Sequence, residues 1–384
     1  MNMSRRNVLL SGVGLGLATA GLGRALPASA RGPEDDVVGA LYAETNAASG
    51  NVIRTILRTR DGRFVEGGQV ATGRQGSGDG LGSQGAVVVT DRRDYLVAVN
   101  AGYGSAYVSA FKLGGDFRLT PHGSAYTNGV RPVSVTTFQR RFAPTWVWAL
   151  NAGGPAATPS FQGMWLDSDG ISPDPGWHRT LPNGSQPAQI GISPDGRWLV
   201  VTLKAANQII TQPLDEQGYP AGDYVVNEST GVTPFGFSFD PKGNLLVSNA
   251  NGGTRGGSSV SSYAIGDDGR LDPRSGPIAT GQTAACWLVA SRDGRDVFVT
   301  NTGSSTVSRL QNSAGRLSLG AGIAARSGQG PVDAVFGRDG QALYVLNGAG
   351  QSVDAFDHDA TTGAITFVAT YGDLPAGMVG LAAA

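Results

Sequence analysis

The sequence predicts an all-β chain folded as a seven-bladed β-propeller of four-stranded blades, and three observations carry that expectation. An apolar strand ending in Asn, usually followed by Gly, recurs with its last position at Asn46, Asn100, Asn151, Asn249, Asn301 and Asn347. A seventh copy fills the one gap with Leu203 in the Asn slot, so successive slots lie 46 to 54 residues apart. A period of that size built from short strands and turns is the mark of propeller blades. Asp-Gly turns recur at fixed places, and Asp-Gly is a strong short-range hairpin signal. The two ends, finally, are incomplete in complementary ways: the first unit lacks a first strand, and the tail from Leu374 to Ala382 resembles a first strand with nothing after it.

The elements follow in order from the N-terminus. Ser4-Arg5-Arg6-Asn7-Val8-Leu9-Leu10 reads as a twin-arginine export motif, a Gly-rich and mildly apolar stretch runs to Leu22, and Ala28-Ser29-Ala30 matches an A-x-A cleavage site. A membrane anchor is disfavoured, because that stretch is short and interrupted by Gly12, Gly14, Gly16 and Gly21. Residues 1–30 are therefore expected to be a signal peptide and residues 31–384 a single propeller domain, periplasmic or secreted. Arg5, Arg6 and Arg24 leave with the signal, which takes 29 basic residues to 26 against 30 acidic ones. That balance argues against nucleic-acid binding, which needs a basic face. The lone Cys286 excludes an internal disulfide. A monomer without a cofactor is the expectation.

Within each unit the first strand follows a loop that often ends in Pro, as at Pro132, Pro187, Pro234 and Pro331. Pro suits a strand start, where no ladder donor is lost. A turn such as Ser193-Pro194-Asp195-Gly196 leads to the Asn-ending second strand, an alternating third strand follows, and a second Gly turn precedes the fourth. Because the unit at residues 37–46 begins on a second-strand pattern, the C-terminal strand is expected to complete that blade and close the ring, hiding edges that would otherwise be open.

Strand direction puts the start of every first strand and the end of every second strand at one mouth of the central channel. Concave polar openings of this kind are default ligand sites. The candidates there divide into two groups. Asn100, Asn151, Asn301 and Asn347 repeat, and Asn before Gly also serves as a turn cap. Arg131, Lys204, Gln84, Gln189, Asp333 and Trp287 break the repeat. Two cations suit a carboxylate or phosphate, so a small anionic molecule is the expected partner. Asp333 suits proton transfer. His122, His178 and His358 fall in outer strands or turns, and only Glu44 and Asp333 bring carboxylates to the mouth, so no metal is expected. The Gly-rich run 76–85 reads as a mobile loop over the mouth.

The Pro–strand–Pro-Asp-Gly–strand–Asn-x-Gly units, such as residues 186–207 and 330–350, resemble the lactonase family of propellers, which includes 6-phosphogluconolactonase and carboxymuconate cyclase. The resemblance spans the whole mature chain. It implies lactone hydrolysis or ring closure of a muconate-type diacid. On that reading Arg131 and Lys204 would bind carboxylate, Asp333 would move the proton, and Gln84, Gln189 and Asn301 would hold the carbonyl oxygen. The chain departs from the family's site pattern: its matching stretches read Gln186-Pro187-Ala188-Gln189, residues 202–207 and residues 247–251, without the expected His, Asp and Glu. A non-catalytic envelope propeller that binds a small ligand or a partner protein is therefore the alternative.

Overall fold

Short strands separated by Gly turns assemble into seven four-stranded antiparallel sheets in the computed structural model, which describes residues 36–103, 106–140 and 144–384. The twin-arginine motif and the Ala28-Ser29-Ala30 site lie outside the described residues. In six blades the four strands follow one another in sequence and the first is innermost, since first strands of neighbouring blades pack against each other around the axis. The predicted architecture is thus the observed one.

Blade 1 is built from both ends of the chain. Its innermost strand is Val379–Ala383, followed outward by Val37–Glu44, Val52–Thr59 and Phe64–Ala71. Leu41 pairs with Ala383, Tyr42 with Ala382 and Glu44 with Val379. Backbone bonds between Ala40 and Ala384 run both ways, at 3.0 and 2.8 Å. Met378 and Leu381 are buried on this closure. A side chain from blade 7 fastens it further. Asp333, on the first strand Pro331–Phe336, accepts the Ala334 N–H on Oδ1 at 2.8 Å and the Leu381 N–H on Oδ2 at 3.0 Å.

The repeated Asn residues are structural caps. Asn100, Asn151, Asn249, Asn301 and Asn347 are fully buried. Each sends its Nδ2 to a hydroxyl on its blade's third strand: Ser109 (3.0 Å), Ser160 (3.1 Å), Ser261 (3.0 Å), Ser308 (2.9 Å) and Ser352 (3.2 Å). Three of them pack so closely on the incoming loop that a Cβ at Gly129, Gly231 or Gly328 would fall within 2.6 Å of the Asn side chain. Asn100, Asn151, Asn301 and Asn347, expected as substrate contacts, are thus buried with their Nδ2 groups bonded inside the blades, while the Oδ1 atoms of Asn301 and Asn347 are buried without a partner.

Candidate functional site

The channel mouth is crossed by a strap, residues 76–85, which joins the last strand of blade 1 to the first strand of blade 2 (Val87–Val89). The Gly-rich composition suggests a mobile loop, but each end of the strap is tied. Asn46, in the left-handed region at φ 48°, accepts the Ser77 N–H on Oδ1 at 2.8 Å and donates Nδ2 to the Asp79 carbonyl at 2.6 Å. At the far end Ser83 Oγ donates to the Val133 carbonyl at 2.7 Å, and the Ala188 carbonyl takes the Gln84 N–H at 3.1 Å.

Gln84 then reaches across the axis. Its Nε2 donates to the Leu288 carbonyl at 2.9 Å and its Oε1 accepts the Leu288 N–H at 3.0 Å. Trp287 Nε1 donates to the Ser83 carbonyl at 2.8 Å, and its ring meets Phe235 edge-on at 5.1 Å. Gly236 has to be glycine here, since a Cβ would lie 2.0 Å from Gln84 Oε1. Gln189 bridges blades 4 and 5 through the N–H and carbonyl of Phe237, at 2.6 and 3.0 Å. Gln84, Gln189 and Trp287 thus plug and stiffen the axis, and their polar groups are already partnered.

The open volume lies to one side. A cavity of 870 Å³ sits between blades 3 and 4, floored by Leu81 of the strap and walled by the loop 152–159 together with Asn183 and Gln186. That loop folds on itself through reciprocal Gly154–Ala157 backbone bonds of 3.0 and 3.1 Å. Arg131 and Lys204 both line the cavity, and among the described residues no carboxylate does. Arg131 ends the incoming loop at φ 57°, a conformation shared with Gln186, Thr233 and Ala284 before the first strands of blades 4, 5 and 6. The loop thereby turns its side chain toward the strap, where Nη2 donates to the Gly80 carbonyl at 3.2 Å.

Lys204 follows the second strand Trp198–Leu203. Its Nζ donates to the Gly82 carbonyl at 2.5 Å and lies 4.9 Å from the centre of the Phe235 ring. Burial brings its amine down to about 8, helped by the Arg131 charge and opposed by Cys286. The amine is therefore a proton carrier near neutral pH, whereas burial pushes the Cys286 thiol up to about 12 and removes it as a nucleophile.

The remaining carboxylates are elsewhere. Asp333 is buried, and burial pushes its carboxyl up to about 8 against the pull of its two backbone bonds. Both oxygens of this residue, expected as the mouth's general base, accept backbone N–H groups of the closure. Glu44 is fully buried and raised well above the usual carboxylate range by burial, with Oε2 accepting from Asn51 at 2.8 Å. The imidazoles lie on outer strands: His122 in Leu119–Tyr126, His178 in Gly170–Thr180 and His358 in Ser352–Asp359. Among the described residues no three His, Cys, Asp or Glu side chains gather as a metal site, and no helix is long and apolar enough to cross a membrane. Sequence reasoning found the two cations but missed the strap carbonyls that hold them and the 152–159 wall; the Gly-rich run and the Gly153-Gly154-Pro155 triplet were the available signals.

Seven four-stranded antiparallel blades in a closed ring define the class as a seven-bladed β-propeller. The chain belongs to the lactonase family of seven-bladed β-propellers, whose family model matches residues 169–288 and 256–384. Solved structures agree on the fold. The periplasmic gluconolactonase of Pseudomonas aeruginosa is 18% identical, with a TM-score of 0.67 over 88% of this chain and 98% of that one. A Bacteroides fragilis protein described as a candidate 6-phosphogluconolactonase is 16% identical, with a TM-score of 0.69 over 90% and 98%. A Lactobacillus plantarum protein is 17% identical, with a TM-score of 0.71 over 90% and 99%. No curated protein matches the chain.

Proposed function

We propose that the protein is an exported lactone hydrolase that takes a small anionic lactone into the cavity between blades 3 and 4. One observation carries this reading: two cations face a cavity that no carboxylate lines. Arg131 is the permanent charge and holds the substrate's carboxylate or phosphate. Lys204, whose amine is brought down to about 8, takes a proton from water as that water adds to the lactone carbonyl. The ring C–O bond then breaks, and the same proton passes to the departing alkoxide, so water and lactone give one hydroxy acid. The side-chain amides of Asn183 and Gln186 line the cavity and are the donors available to the developing oxyanion. Gln84 and Trp287 act indirectly, by keeping the strap and hence the Gly80 and Gly82 carbonyls in place, and Gln189 by tying blade 4 to blade 5.

The test uses purified mature protein with glucono-δ-lactone, its 6-phosphate and cis,cis-muconate, with proton release or uptake as readout. Hydrolysis of a lactone above the uncatalysed rate, lost in Lys204→Met and weakened in KM by Arg131→Ala, is the expected result. Turnover of muconate alone would replace hydrolysis by ring closure at the same cations. The absence of His or a free carboxylate from the cavity favours the second reading, a propeller that binds its anion and turns nothing over. Binding of gluconate without turnover of any of the three compounds would select it.

A further inference from the structure

The opposite face of the ring carries a second basic cavity, of 390 Å³, lined by Arg58, Arg93, Arg292 and Arg338. Three of these arginines sit in one repeated element, the turn between first and second strands. In blades 4, 5, 6 and 7 that turn closes with a bond from Gly196 to Ser193, Gly243 to Asp240, Gly294 to Ser291 and Gly340 to Gly337. Each Gly has φ between 71° and 81°. Blade 2 makes the same bond from Arg93 to Thr90, with Arg93 at φ 60°. An arginine has thus been placed where the other four turns use glycine, in a conformation that strains any residue with a Cβ. Strain of this kind persists where a side chain is needed.

The second position of the turn varies in the same sense. It is Pro194 in blade 4 and Pro241 in blade 5, but Arg292 in blade 6 and Arg338 in blade 7. Blades 6, 7, 1 and 2 are consecutive around the ring, so these departures from the repeat converge on one place. Arg58, from the third strand of blade 1, is buried there, and its Nη1 has no hydrogen-bond partner; Arg93 Nε is likewise buried and unpartnered. Phe64 backs the Arg58 guanidinium at 5.0 Å, and Phe117 backs that of Arg93 at 5.6 Å. The other polar or charged groups at the cavity are Asp339, whose Oδ1 is committed to the Gln341 N–H at 2.9 Å, the Tyr344 hydroxyl, and the carboxyl end of the chain at Ala384, whose carbonyl oxygen already accepts the Ala40 N–H at 3.0 Å. Burial and the neighbouring Arg338 charge lower the pKa of Arg93, as expected for cations crowded together.

We infer that this cavity is a binding site for a small polyanion, a molecule carrying a phosphate or several carboxylates, held by Arg58, Arg93, Arg292 and Arg338 on the face away from the lactone cavity. Four guanidiniums offer forked donors to oxyanions. The volume lies in the range of small-molecule pockets, about 300–1,000 Å³.

Isothermal titration of the purified protein with pyrophosphate and with citrate, at low and high salt, tests the site. One of the two should bind once per chain and weaken with salt. Arg93→Gly restores the residue that the other turns use, so it should fold with an unchanged or higher Tm and still lose at least tenfold in affinity, as should Arg338→Ala. Arg131→Ala and Lys204→Met should leave this binding as it is, which separates the site from the lactone cavity. Preference for pyrophosphate or for citrate assigns the ligand as phosphorylated or polycarboxylate. Binding of neither probe, equal binding by Arg93→Gly, or loss of binding in Arg131→Ala would overturn the inference.

Discussion

Asp333→Asn should weaken the ring closure in a way that depends on pH. Asn keeps one acceptor for the two backbone donors of Ala334 and Leu381, so one buried N–H faces an amide donor. Leaving such a group unsatisfied costs about 1–3 kcal/mol. Titration acts in the opposite direction. Burial raises the Asp333 carboxyl from 3.8 to about 8, so between these values the native state holds a proton that the unfolded state has lost. Stability therefore falls as pH rises from about 4 to about 8 and levels off above. At about 1.4 kcal/mol per pK unit the ceiling on this loss is about 6 kcal/mol. Asn does not titrate and escapes it. Urea unfolding of both proteins at pH 5 and pH 8 should find the wild type more stable at pH 5, with the gap closing or reversing at pH 8. A difference between the two proteins that does not change with pH would refute the reasoning.

Removing residues 378–384 uncovers the inner edge of blade 1 and the burial of Met378 and Leu381, each worth about 1.5–3 kcal/mol; aggregation or a markedly lower Tm is expected, and a truncated protein that melts like the full chain would show the closure to be dispensable. Gln84→Ala strips two bonds from Leu288 across the axis; amide hydrogen exchange across residues 76–85 should speed up at least tenfold, and an unchanged pattern would mean the strap is held without Gln84. Changing Arg5 and Arg6 together to Lys should leave the precursor inside the cell, whereas normal export, or mature protein beginning at Met1, would dismiss the signal reading.

The architecture was legible because it is written many times over. A slot that recurs at 46 to 54 residues, with Asp-Gly turns between, fixes strand order and blade count even where one copy carries Leu203. The same repetition hid the caps. Asn100 and its equivalents look like mouth residues in sequence, and only the third-strand hydroxyls and the close glycines reveal where their amides go. The site was half legible. Arg131 and Lys204 stood out by breaking the repeat, but so did Asp333, Gln84 and Gln189, and a pattern break cannot say whether a side chain faces a cavity or bridges two blades. Asp333 bonds a strand 48 positions later and Gln84 bonds a residue 204 positions later. Pairings so distant leave no periodic trace. The strap's tethering was hidden by its glycines, because its ties run through backbone carbonyls to side chains from distant segments, Asn46, Arg131, Lys204 and Trp287.

The most direct test of the lactone-cavity account is the pH dependence of kcat/KM for 6-phosphoglucono-δ-lactone, whose phosphate Arg131 would hold, with uncatalysed hydrolysis subtracted. Lys204 acts as a base only when neutral, so the rate should rise with pH and reach a plateau above about 8. Lys204→Met should remove that limb and leave a low, flat profile, while Arg131→Ala should raise KM and move the limb upward by relieving the repulsion between the two cations. A wild-type profile with no limb near 8, or the same limb in Lys204→Met, would contradict the account.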